Sequence, residues 1–70
     1  MLYFELEEDQ PFIQLNSLLK IMQLVETGGE ANLRISAGEV RLNGALETQK
    51  RKKVKSGDVI TFGKAKITVK

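Results

Sequence analysis

Thr27-Gly28-Gly29-Glu30 narrows the folds open to this 70-residue chain more than any other stretch. Thr-x-x-Glu is the capping-box pattern, in which hydroxyl and carboxylate each accept from the other residue's backbone N–H at a helix start. Glycines there also interrupt whatever comes before. What comes before is an apolar stripe: Leu15, Leu18, Leu19, Met22 and Val25 recur at helical spacing, and Ile21 and Leu24 widen it. Side chains unbranched at Cβ dominate the stretch, which suits a helix. A first helix is therefore expected between Leu15 and Glu26, with Asn16 as a candidate cap. A second is expected from Gly28 to about Ala37, with Gly38 as its stop. Ala31, Leu33, Ile35 and Ala37 also alternate with polar residues in the manner of a strand. The cap, the alanines and the closing glycine favour helix.

Beyond Gly38 the periodicity changes. Val40-Arg41-Leu42-Asn43-Gly44-Ala45-Leu46 sets Asn-Gly among apolar residues, the strongest short-range hairpin signal. A two-residue turn would pair Arg41 with Leu46 and waste the apolar faces. A three-residue loop with Gly44 left-handed would pair Val40 with Leu46, so a bulged hairpin is expected. Val59, Ile60 and Phe62 form a further strand after a Ser56-Gly57-Asp58 turn. Gly63-Lys64 then turns into Ile67-Thr68-Val69. With Leu2 to Leu6 as an N-terminal strand or arm, the fold class is α+β: two short helices followed by a small, mainly antiparallel sheet.

Charge is divided unevenly along the chain. Residues 1–33 carry one cation, Lys20, against six anions and sum to −5; residues 34–70 carry ten cations against three anions and sum to +7. Such opposed halves hint at nucleic-acid or acidic-surface binding. The competing explanation is that the acidic arm lies against the basic half and neutralises it. Lys50, Arg51, Lys52, Lys53 and Lys55 put five cations into six positions. Such a run is either a solvated turn or a working surface.

Little in the chain speaks for catalysis. Histidine and cysteine are absent, which removes the commonest general base, thiolate chemistry and the usual zinc ligands. The serines and threonines have no histidine to activate them. The nine carboxylates form no metal-spaced cluster, and Lys20 beside the apolar helical face reads as a snorkelling side chain. The expectation is no enzyme and no cofactor. No apolar stretch approaches the roughly 20 residues of a membrane span, and the N-terminus is acidic where a secretory signal would be basic. A cytoplasmic protein without a membrane partner is expected.

Two further features bear on binding. Gly28-Gly29 opens a helix whose free N–H groups can meet a phosphate, although the pair also serves as a tight inter-helix turn and fits no nucleotide fingerprint. Arg34, one helical turn after Glu30, fits a surface ion pair. Arg41 should face solvent, opposite to Val40 and Leu42. Phe12 and Phe62 are expected in the core, so no platform of exposed rings for base stacking is foreseen. Binding would then rest on phosphate contacts and shape.

Leu15 to Gly57, with its LNSLLKIMQLVETGGEANLRISAGEVRLNG segment, basic run and VKSGDVI, resembles the RNA-binding domain named after small-subunit ribosomal protein S-four, or alpha-L motif. The Thr-Gly-Gly-Glu-Ala segment looks most like its small stand-alone YbcJ-like bacterial members. The resemblance implies a single RNA-binding domain over 1–70, with an arm at 1–11, the motif core at 12–62 and a C-terminal strand at 63–70. It implies a monomer whose partners are structured RNA, ribosomal or transfer RNA, and ribosome-associated proteins. Carried over by position, the RNA contacts would fall on Thr27, Gly28, Gly29 and Arg34 at the second helix. On the hairpin and its extension they would fall on Arg41, Asn43, Lys50, Arg51, Lys52, Lys53 and Lys55. The sequence departs from the family where Arg-Leu-Asp is customary, here Gln14-Leu15-Asn16, and where Ser-Arg is customary, here Thr27-Gly28. Two arginines are thus missing. A helix-turn-helix DNA reader, with Asn32 and Arg34 as its base-reading residues, and a protein adaptor presenting the Leu/Met stripe or the LYFEL edge are the competing readings.

Overall fold

The computed structural model describes residues 2–70. In chain order the elements are β1 (Leu2–Phe4), β2 (Ile13–Gln14), α1 (Leu15–Ile21), α2 (Gly28–Ser36), β3 (Val40–Leu42) and β4 (Ala45–Leu46). They are followed by β5 (Lys53–Val54), β6 (Val59–Phe62) and β7 (Ala65–Val69). Five strands form one sheet in the order β1-β7-β6-β3-β4, and β2 and β5 form a separate antiparallel ribbon. Only β1 runs parallel to its neighbour, β7. The α+β arrangement of two short helices and a mainly antiparallel sheet is as the sequence indicates.

The core lies between the helix pair and one face of the sheet. From the helices it takes Leu15, Leu18, Leu19, Ala31 and Ile35, all fully buried; from the sheet it takes Val40, Ile60, Ile67 and Val69. Ile13 and Val54, opposite each other in the β2–β5 ribbon, close one end of it. The other face of the large sheet is open, and Leu46, Arg41, Thr61 and Lys66 lie across it in one cross-strand row.

Four local expectations are corrected. The first helix ends at Ile21, well before Glu26. Gln23 takes a left-handed φ of 59°, and its N–H donates to Lys20 O while the Leu24 N–H donates to Leu19 O. That is a Schellman stop, and it lets Met22, Leu24 and Val25 still reach the core from irregular backbone. Asn16 does not cap this helix: Gln14 holds the cap position without a side-chain bond. Instead, Asn16 Nδ2 donates to Asn32 Oδ1 at 3.0 Å and joins α1 to α2.

The second helix starts and stops as expected. Thr27 Oγ1 accepts the Glu30 N–H at 3.1 Å, and Gly38, just past Ala37, is left-handed. The capping box is not reciprocal, however. The Glu30 carboxylate accepts the N–H of Glu26 at 2.9 Å, one residue before the cap.

The hairpin is not bulged. Arg41 pairs with Leu46 and Leu42 with Ala45, so Asn43-Gly44 is a two-residue loop with both residues left-handed (φ 52° and 86°). That geometry matches the twist of the flanking strands. It leaves Leu46 on the open face, 56% exposed. The cost is tolerated because β4 is a short edge strand that makes no core, while β3 is held in register by β6 on its other side.

Candidate nucleic-acid interface

The basic run is built inside out. The Leu15 N–H donates to Lys52 O at 2.9 Å and the Asn16 N–H to Lys50 O at 3.0 Å. Backbone carbonyls of the run thus satisfy the first donors of α1, which no side chain caps. Val54 is fully buried, pairs with Ile13 and anchors the run in the core. With the carbonyls turned to the helix and one apolar residue pinned inward, Lys50, Arg51, Lys52, Lys53 and Lys55 are all exposed.

These cations are not neutralised by neighbours. Ion pairs among the described residues join Arg34 to Glu30 at 3.6 Å and to Glu39 at 3.1 Å, and none reaches the basic run. The apolar start of the arm does lie against the basic half, since β1 pairs with β7 and Lys70 stands over the Tyr3 ring at 4.3 Å. It leaves the charges of residues 50–55 without carboxylate partners.

Two clefts flank the run. One, of about 520 Å³, is lined by Lys50 and Arg51 with Thr48, Gln49 and Ser36, the last residue of α2. The other, of about 500 Å³, is lined by Lys52, Lys53 and Lys55 with Pro11, Phe12, Leu42, Asn43 and Asp58. The five cations are therefore divided between two clefts, Lys50 and Arg51 on the helix side and Lys52, Lys53 and Lys55 on the hairpin side. Chain order alone conceals this, because β5 folds back onto β2 and not onto the hairpin.

Asn43 lines the hairpin-side cleft with its side chain committed. Its Oδ1 accepts the Val59 N–H at 2.8 Å and its Nδ2 donates to Asp58 Oδ1 at 3.0 Å. Asp58 Oδ2 in turn accepts the Lys55 N–H at 2.8 Å. One asparagine and one aspartate thus fix the hairpin tip, the end of the basic run and the start of β6 relative to one another.

The remaining predicted residues are dispersed. Thr27, Gly28 and Gly29 sit at the start of α2, and a Cβ built at Gly28 would meet nothing within 4 Å, so its backbone is open to close approach. Arg34 is held by its two glutamates. Arg41 faces solvent as anticipated, but on the open face of the sheet, across from Thr61 and, one strand further, Lys66. It lines neither cleft. Phe12 is a correction: it is half-buried and lies outside the core cluster, with Lys53 Nζ 5.0 Å from its ring centroid. Ribbon β2 begins directly after it, and a two-residue strand carries no readable periodicity. Phe62 does pack against the core.

Residues 4–70 match the family model described as S4 domain. The YbcJ protein of Escherichia coli (strain K12) is 38% identical over 52 residues, covering 74% of each chain, and YbcJ of Shigella flexneri matches to the same extent. The solution structure of YbcJ from E. coli, described as revealing an alfaL motif involved in RNA-binding, superposes with a TM-score of 0.75. That match has 35% identity and covers 99% of this chain and 86% of the other. A family model that spans nearly the whole chain, the relatives' identity and the shared helix-pair-and-sheet architecture agree, and this chain belongs to the S4 domain family.

Proposed function

We propose that this protein binds folded RNA, and that the Lys50–Lys55 run with the two clefts beside it is the contact surface. The observation that carries the reading is a run of five exposed cations, free of carboxylate ion pairs among the described residues, on an S4 domain. The E. coli relative, described as bearing an RNA-binding motif, supports the choice of nucleic acid. Cations of such a run take the place of the counterions condensed on RNA phosphates and release them to solution. With about five phosphates neutralised, affinity falls roughly a hundredfold or more between about 50 and 200 mM salt. Gly28 and Gly29 offer an approach for one further phosphate at the start of α2. Ribosomal and transfer RNA, in the cytoplasm, are the folded RNAs we infer as targets.

The helix-turn-helix DNA reading is weaker for a structural reason. Its two base readers are already engaged, Asn32 with Asn16 and Arg34 with Glu30 and Glu39. The test is reversal of Lys50, Arg51, Lys52 and Lys53 to glutamate. Retention of a bulk transfer-RNA probe should collapse while the amide spectrum stays folded. Undiminished binding of that probe, or equal competition by duplex DNA of matched length, would overturn the proposal.

A further inference from the structure

We propose that the hairpin-side cleft is a nucleotide pocket, taking one unstacked base against Phe12 with its phosphate on the lysine rim; this rests on the RNA-binding reading above. The two clefts differ in chemistry. The helix-side cleft is lined by Ser36, Thr48, Gln49 and two cations, with no aromatic ring for a base to stack on. The hairpin-side cleft combines three lysines with apolar surface from Pro11, Phe12 and Leu42. Its volume of about 500 Å³ falls in the ~300–1,000 Å³ range of small-ligand sites.

The ring orientation decides what this cleft can hold. Lys53 Nζ stands 5.0 Å from the Phe12 centroid, over the ring, so one π face looks toward the lysines. An ammonium over a half-exposed ring is a weak contact, and a nucleobase stacked on that ring is the stronger one. A base therefore takes the ring face and releases Lys53 to the attached phosphate, beside Lys52 and Lys55. Hydrogen-bond readout is limited. Both carboxylate oxygens of Asp58 and both polar atoms of Asn43 already serve the fold. The pocket thus grips a base by its face, with little preference for its edge.

The probes are a short oligoadenylate and an abasic strand with the same number of phosphates, titrated into the full 70-residue protein at low salt. The oligoadenylate is expected to bind roughly 5- to 150-fold more tightly, the range that stacking of one base supplies. Phe12→Leu should erase that difference, Phe12→Trp should keep it, and Lys53→Met should keep it while flattening the salt dependence. Should Phe12→Leu fail to fold, the wild-type ring protons give the answer: they shift with oligoadenylate and stay still with the abasic strand. Equal affinity for both strands, or a preference that survives Phe12→Leu, removes the base pocket and leaves the phosphate surface standing. Binding of neither strand while the transfer-RNA probe is still retained removes the base pocket alone, and loss of the transfer-RNA probe as well removes the RNA-binding reading with it.

Discussion

The Asn43 side chain accepts the N–H of Val59 at 2.8 Å, across 16 positions of sequence, and so ties the hairpin tip to the first residue of β6. Its backbone does the same in reverse, with the Asn43 N–H donating to Val59 O at 2.7 Å. Left-handed φ at 52° makes asparagine the natural occupant among non-glycine residues. Substitution by alanine keeps a Cβ, forfeits the tolerance for that φ and removes two hydrogen bonds, one to a carboxylate. Asn43→Ala should destabilise the fold by about 1–2 kcal/mol in urea unfolding. Asn43→Gly, which relieves the φ but also lacks the side chain, should cost less. Equal losses in the two variants would mean that the left-handed turn contributes nothing of its own.

Gln23 is the reverse case, a left-handed position held by a residue with no special aptitude for it (φ 59°). The Schellman stop of α1 needs that conformation, and glycine adopts it without the Cβ penalty. The side chain is exposed, so little packing is at stake. Gln23→Gly should stabilise the protein by about 0.5–1 kcal/mol, less whatever the freer unfolded chain gains. A raised urea midpoint with an unchanged m-value would bear this out.

What the sequence discloses, and what it withholds, follows from the range of the interactions involved. Thr27, Glu30 and Gly38 mark α2 through local bonds, and its boundaries were legible within about one residue. Val59 to Phe62 and Ile67 to Val69 were legible as strands because apolar runs lay between turn residues. The end of α1 was not, because the apolar stripe continues through Val25 although the helix does not. There the signal records burial and is blind to backbone conformation. The hairpin register departs from the expectation because not every apolar residue finds cover, and Leu46 does not. Most of the candidate site was legible as charge, in the run from Lys50 to Lys55. Its shape was not. The β2–β5 ribbon that sets the run beside Phe12 rests on two residues per strand and on carbonyls meeting the start of α1, contacts invisible to any periodicity.

Asn16 and Asn32 form a part-buried amide pair between the helices, at 3.0 Å. Asn16 Oδ1 also accepts the Ser17 N–H, which leaves its amide group to bridge to α2. A double-mutant cycle with alanine at both positions should return a coupling of about 0.5–1.5 kcal/mol, the net value of one neutral hydrogen bond. Coupling near zero would show that the helix pair is oriented by Leu15, Leu18 and Ile35 alone.

Single neutralisations separate the cations that face RNA from those that only carry charge. Lys50→Met and Lys52→Met preserve the aliphatic stem and leave the carbonyls that hold α1 untouched, so stability should change by less than about 0.5 kcal/mol. Each should weaken binding of a transfer-RNA probe and lower the slope of log K against log salt by about 0.7–0.9. Arg41→Met provides the contrast. Arg41 sits on the open sheet face, away from both clefts, and its loss should leave that slope nearly intact if RNA occupies the clefts alone. Arg34→Met is the second contrast. Its guanidinium is shared between two solvent-accessible carboxylates, a pairing worth about 0–1 kcal/mol to stability, and its removal frees Glu30 and Glu39 to repel a polyanion. Weaker binding in Arg34→Met should therefore be recovered when Glu39 is also changed to Gln, whereas Lys52→Met should show no such recovery. Recovery in both, or in neither, would erase the distinction between a cation that meets phosphate and one that shields it from carboxylates.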